Sequence, residues 1–138
     1  VDTVKSLVLA GIPVMAHIGL TPQFVEHLGG FKKQGQSQEE QEALIQLARS
    51  LEEVGVFALV LEVIPASLAQ TITDTLSIPT IGIGAGKHCS GQVLVLHDLL
   101  GLSPHSPPSF VKQYDSFYEK MGVAVKSFIQ DVSQKTFP

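Results

Sequence analysis

The sequence predicts an α/β fold built on a parallel β-sheet. Three observations carry that expectation. Short apolar runs alternate with helix-patterned segments along most of the chain, the order that makes βα units. The run Phe57-Ala58-Leu59-Val60-Leu61 is unbroken up to Glu62, as in strands buried on both faces of a parallel sheet. Ionisable residues stand where such runs end: His17, Glu62 and the pair His97-Asp98. The carboxyl ends of parallel strands are where α/β proteins assemble their sites.

The chain justifies this element by element. Thr3 to Ala10 places Val4, Leu7 and Val8 at helical spacing, with Gly11 as a stop. Pro13 to Ile18 is a short strand that brings His17 to its end. Thr21-Pro22 starts a short helix over Phe24, Val25 and Leu28, ended by Gly29-Gly30, and Phe31 to Gln38 is a polar loop. Ser37 and Glu40 have the spacing of a capping box. Leu44, Leu47, Ala48, Leu51 and Val54 follow on one face of a helix that Gly55 ends. After the strand ending at Glu62, Pro65 opens a helix with Leu68, Ala69, Ile72 and Leu76 in register. Ile78 to Gly84 is a third strand, Ala85 to Gly91 a loop, and Gln92 to Asp98 a fourth strand. Beyond the proline- and serine-rich loop at 103–109, two closing helices are expected. One groups Phe110, Val111, Tyr114, Phe117 and Met121; the other groups Val125, Phe128, Ile129 and Val132.

Composition narrows the function. The 138 residues suit one domain, and 44% hydrophobic content is enough for a core. A net charge of −4 without any Lys/Arg cluster argues against nucleic acid as a partner. No apolar run approaches a membrane span. The start, Val1-Asp2-Thr3-Val4-Lys5, has neither a signal-peptide layout nor an initiator methionine, so the sequence reads as a piece of something longer. Cys89 is the single cysteine, which fits a reducing, cytoplasmic setting.

Taken residue by residue, the candidates stay open. Glu62 is either a catalytic carboxylate or one that bonds the next helix, and His17 is either a site residue or a buried, hydrogen-bonded histidine. His97 and Asp98 could equally cap the following turn. His27, His88 and His105 lack metal-ligand spacing. Gly82-Ile83-Gly84-Ala85-Gly86 is not a nucleotide loop: a G-x-G-x-x-G from Gly84 would need glycine at Cys89. Its small residues instead let a strand end approach its neighbours or a ligand closely. Cys89 has no supporting base at an obvious position.

Several motifs in one order give a more specific reading. They are His17-Ile18-Gly19-Leu20-Thr21-Pro22-Gln23, then Gly29-Gly30-Phe31-Lys32 with Gln34-Gly35, and then Leu61-Glu62. Ile81-Gly82-Ile83-Gly84-Ala85-Gly86 and Gly91-Gln92-Val93-Leu94-Val95 with His97-Asp98 complete the set. From about Gly11 to about Gly101 the chain closely resembles the ketopantoate hydroxymethyltransferase family. The resemblance implies a (β/α)8 TIM barrel of the phosphoenolpyruvate/pyruvate type. It also implies a transferase of pantothenate biosynthesis that uses Mg²⁺ and 5,10-methylenetetrahydrofolate, and a large homo-oligomer. Glu62 matches the carboxylate that takes a proton from C3 of 3-methyl-2-oxobutanoate. His17 matches a histidine lining the oxo-acid site, and Ile83, Val93 and Val95 match apolar residues beside the isopropyl group.

Such a barrel needs about 250 residues. Residues 1–138 are therefore expected to be the C-terminal part of one barrel domain, holding only the last four βα units, with closing helices from about residue 107. The resemblance implies that the metal carboxylates lie in the first half. Asp2, Glu26 and Asp98 match none of them, so the chain by itself is expected to be incomplete and inactive. The competing readings are a non-catalytic half-barrel acting in binding or assembly, and another pyruvate-type barrel enzyme acting on a 2-oxo acid.

Overall fold

The computed structural model describes residues 1–24, 30 and 32–138, and divides the chain into two compact units, Val1–Val93 and Leu94–Pro138. The helix expected over Phe24, Val25 and Leu28, its stop at Gly29, and Glu26, His27 and Phe31 fall outside what is described, apart from a 3₁₀ turn at Pro22–Phe24.

The first unit is a parallel α/β layer. Its elements are α1 (Asp2–Leu9), β1 (Met15–Gly19), α2 (Gln38–Glu53), β2 (Ala58–Glu62), α3 (Ala66–Thr75), β3 (Thr80–Ile83) and β4 (Gly91–Gln92). The strands lie in the order β1-β2-β3-β4, and every neighbouring pair is parallel. The capping box forms as expected. The Glu40 amide donates to Ser37 Oγ at 3.2 Å, and the Ser37 amide donates to Glu40 Oε2 at 3.4 Å.

Helices α2 and α3 cover one face of the sheet. Ala48 and Leu51 of α2 and Leu68, Ala69 and Ile72 of α3 pack with Ala16, Ile18, Leu59, Leu61 and Ile64 in one core. Leu59, Leu61, Ile64, Leu68 and Ile72 are essentially inaccessible. Burying each such side chain contributes about 1.5–3 kcal/mol. The expectation that β2 is buried on both faces is not met. Phe57 lies outside the strand and is exposed, and Val60 is only half-buried. Helices cover the face carrying Leu59 and Leu61, and the opposite face is less enclosed.

Polar groups inside this layer are tied together. The Thr80 hydroxyl, fully buried, is shared with the Thr73 hydroxyl at 2.8 Å and accepts from the Ser90 amide at 3.2 Å. This joins α3, β3 and the loop leading to β4. At the far end of α2, Glu52 Oε1 accepts from the Ser77 hydroxyl (2.7 Å), the Ser77 amide (2.6 Å) and the Ile78 amide (3.2 Å). The hydroxyl and then the amide of Ser77 hold the Glu52 carboxyl below its ordinary value, against a smaller opposing effect of burial.

In the second unit, α4 (Leu96–Leu100) ends at Gly101 in a left-handed conformation, and α5 spans Phe117–Ser133. Two expectations are corrected here. The fourth strand does not run from Gln92 to Asp98. It stops at Gln92, Val95 precedes α4, and His97 and Asp98 lie within that helix. A short apolar run reads alike as a buried strand or as the entry to a helix. Here the Asp98 and Leu99 amides turn back onto the Val95 carbonyl. The closing region holds one helix, not two. Phe110 to Tyr114 are not helical, and the Tyr114 amide bonds the Leu99 carbonyl. Phe117 and Met121 instead share α5 with Val125, Phe128, Ile129 and Val132. Gly122 does not divide it, since a mid-helix glycine costs only about 1 kcal/mol.

Candidate active site

Strand periodicity and register decide which side chains share a face. Alternate residues of a strand point to opposite sides, and register partners in a parallel pair point to the same side. Ala16, Leu59 and Thr80 are partners, as are Ile18, Leu61 and Gly82. Together they form the face packed under the helices. The opposite face carries His17, Val60 and Ile81 in one row and Gly19, Glu62 and Ile83 in the next. The Val93 amide donates to the Gly82 carbonyl at 3.0 Å, which carries the ladder one step past β4 and sets Val93 beside Ile83. Glu62, His17, Ile83 and Val93 thus share one face, with Glu62 and Ile83 at the carboxyl ends of their strands and His17 in the middle of β1 rather than at its end. Val95 lies outside the strands of this sheet, half-exposed at the start of α4. His97 and Asp98 are likewise helical residues, and His88 and His105 are exposed.

The centre of this face is a close pair. His17 Nε2 lies 2.9 Å from Glu62 Oε2, with side chains 32% and 15% exposed. The approach is short, yet Nε2 is buried without a hydrogen-bond partner. Distance alone would make the two an ion pair. With no hydrogen bond made to Glu62, Nε2 keeps its hydrogen-bonding capacity for another group. Buried polar atoms are nearly always satisfied, so an orphan of this kind needs a partner.

The backbone around Glu62 is fixed from three sides. The Leu20 amide donates to the Glu62 carbonyl at 2.9 Å, the Val63 amide to the Ile83 carbonyl at 2.9 Å, and the Gln34 amide to the Val63 carbonyl at 3.0 Å. Gly19, with φ +96°, lies against Glu62 so closely that an added Cβ would be driven into the Glu62 carbonyl oxygen and within 2.8 Å of Ile64 Cγ2. Val63 takes a positive φ of 49°. The glycine was visible in the sequence and its role was not, and a valine gives no sign of a left-handed backbone. The close-approach reading of the Gly82–Gly86 stretch holds. A Cβ on Gly86 would meet Ala66 Cβ at 2.5 Å, and one on Gly82 would meet Cys89 Sγ at 2.9 Å.

The site does not suit Mg²⁺ by itself. That ion takes near-octahedral oxygen ligands, with one or two carboxylates and several waters. Among the described residues no group of three or more His, Cys, Asp or Glu could hold a metal, and the pair offers one carboxylate and one imidazole.

The family model for ketopantoate hydroxymethyltransferase matches residues 1–138. The chain is 53% identical over 137 residues to a 3-methyl-2-oxobutanoate hydroxymethyltransferase of Geobacter metallireducens, covering 99% of the chain and 51% of that protein. It is 54% identical over 137 residues to the protein of the same description from Legionella pneumophila (strain Paris), covering 99% and 52%. With that of Pyrobaculum arsenaticum it shares 52% identity over 135 residues, covering 98% and 51%. The chain spans about half the length of the curated relatives it matches.

Proposed function

The chain belongs to the ketopantoate hydroxymethyltransferase family, and from that premise we propose that it carries the general base of a hydroxymethyl transfer to 3-methyl-2-oxobutanoate. The observation that carries the reading is the His17–Glu62 pair, whose buried Nε2 has no hydrogen-bond partner. It joins adjacent parallel strands and places Glu62 at the carboxyl end of β2, where α/β folds build sites.

Glu62 takes the proton from C3 of the oxo acid, and the C–H electron pair passes into the keto group as an enolate. His17, with Nε2 free, donates to or accepts from a polar group of the bound acid. Ile83 and Val93 flank the isopropyl group, with Val95 proposed as a third apolar contact. C3 then bonds the one-carbon unit of 5,10-methylenetetrahydrofolate, whose two C–N bonds break in the net reaction. Water supplies the hydroxyl oxygen and re-protonates the two folate nitrogens. The proton first taken by Glu62 balances the new hydroxyl, giving 2-dehydropantoate.

In the complete enzyme the chain is proposed to be the C-terminal part of a single (β/α)8 TIM barrel of the phosphoenolpyruvate/pyruvate type, contributing its last four βα units. The ligands of the Mg²⁺ are assigned to the portion of the relatives outside the match. A cytoplasmic homo-oligomer is proposed with it. Among the described residues no helix is long and apolar enough to cross a membrane.

The test is Glu62→Gln in the complete enzyme. Turnover is expected to fall roughly 10²–10⁴-fold, the range for loss of a general base, with oxo-acid binding retained. Near-normal turnover would refute the assignment.

A further inference from the structure

We propose that Val63 is a positioning residue for Glu62, holding the carboxylate in place through a left-handed backbone that valine disfavours. The inference rests on the reading of Glu62 as the base. Among the described residues, Val63 and Lys135 are the non-glycine residues with positive φ. Lys135 follows the C-cap of α5, where a left-handed residue is an ordinary way to end a helix. Val63 has no such reason. It follows a strand, and for a β-branched residue a positive φ is a genuine outlier. Glycine would make the same turn without strain.

The conformation is imposed by three separate segments. The Leu20 amide holds the Glu62 carbonyl, the Ile83 carbonyl holds the Val63 amide, and the Gln34 amide holds the Val63 carbonyl, all at 2.9–3.0 Å. Immediately beyond, Ile64 is buried in the core and Pro65 precedes α3. A residue with a Cβ has only a small left-handed well to occupy. Once the hydrogen bonds place Val63 there, its φ and ψ have little room, and the Cα of Glu62 is fixed with them. Glycine in the same turn would restore that freedom. Strain at such a point is a known mark of pre-organised sites.

The experiment compares Val63→Gly, Val63→Ala and Glu62→Gln in the complete enzyme by thermal melting and steady-state kinetics. Val63→Gly is expected to melt no lower than the parent. Its kcat should fall on the order of 10–100-fold at unchanged KM for the oxo acid, since a misplacement near 1 Å costs about that much. Val63→Ala keeps a Cβ and the narrow well, and should stay near the parent kcat. Should Val63→Gly fail to fold, Val63→Asn, which tolerates the left-handed region while keeping a Cβ, is expected to retain kcat. A drop in its kcat without a drop in melting temperature overturns the proposal. Equal losses in the Gly and Ala variants also overturn it, by assigning the effect to side-chain packing. If Glu62→Gln loses turnover while Val63→Gly keeps it, this proposal fails and the base assignment stands. If Glu62→Gln keeps turnover, both fail.

Discussion

Replacing Gly19 by alanine tests the claim that the site is built by backbone approach. Gly19 pairs with Glu62 across the β1–β2 ladder and has φ +96°. An L-residue held there pays strain of about 1–3 kcal/mol. The new Cβ also meets the Glu62 carbonyl and Ile64 Cγ2, neither a flexible side-chain tip that can swing away. Overpacking of this kind costs typically about 1–3 kcal/mol. The same oxygen accepts the Leu20 amide, and weakening that bond adds about 0.5–1.5 kcal/mol. The total, roughly 2.5–7.5 kcal/mol, is a large part of a typical domain stability of about 5–15 kcal/mol. Gly11→Ala is the internal control. Gly11 also has a positive φ, but an added Cβ meets nothing within 4 Å, so only the strain of about 1–2 kcal/mol should appear. The assay is thermal melting of both variants in the complete enzyme, with turnover measured below both transitions. Gly19→Ala should melt on the order of 10 °C lower and lose activity with the displaced Glu62, while Gly11→Ala loses little of either. A Gly19→Ala variant no worse than Gly11→Ala refutes the reasoning.

Three further outcomes are expected. Ile83→Ala should let the complete enzyme accept bulkier 2-oxo acids, with a change worth about 1–3 kcal/mol in specificity; unchanged preference between 3-methyl-2-oxobutanoate and longer homologues counts against Ile83 lining the site. Glu52→Gln should show its stability cost at neutral pH. The Glu52 carboxyl is held below its ordinary value of 4.5, so its contribution is present above that value and fades as pH falls through the lower folded value; melting of parent and variant should therefore converge in acid, and a pH-independent difference would exclude the charge. Residues 1–138 expressed alone should show no transferase activity and should self-associate, because among the described residues β1 and β4 each pair on one side only and Met15 and Val93 are exposed. A monodisperse, active monomer would contradict this.

What could be read in the sequence was what neighbours within a few residues decide. The Ser37–Glu40 box closes within one helical turn. The α3 stripe of Leu68, Ala69, Ile72 and Leu76 is buried as its period requires, and Glu62 ends its strand as the run before it implied. The fourth strand is shorter than the sequence suggests because its apolar residues suit either conformation, and the missing ladder partners are a tertiary fact. The first of the two expected closing helices does not form over Phe110 to Tyr114, where the Tyr114 amide is engaged by Leu99, a distant residue that spacing within the segment does not reveal.

The hardest feature to read is the one beside the proposed base. Valine favours extended backbone, and a continued strand through Val63 is what its side chain alone would choose. Gln34 and Ile83 overrule it through hydrogen bonds from segments far away in sequence, and Leu20 fixes the peptide before it. Local preference and global fold agree through most of the first unit and part company at Val63, next to the carboxylate that the proposed reaction needs. Departures of this kind are expected where a chain serves function against its own propensity. Packing alone does not account for the strained valine: Ile64, not Val63, fills the core at that turn.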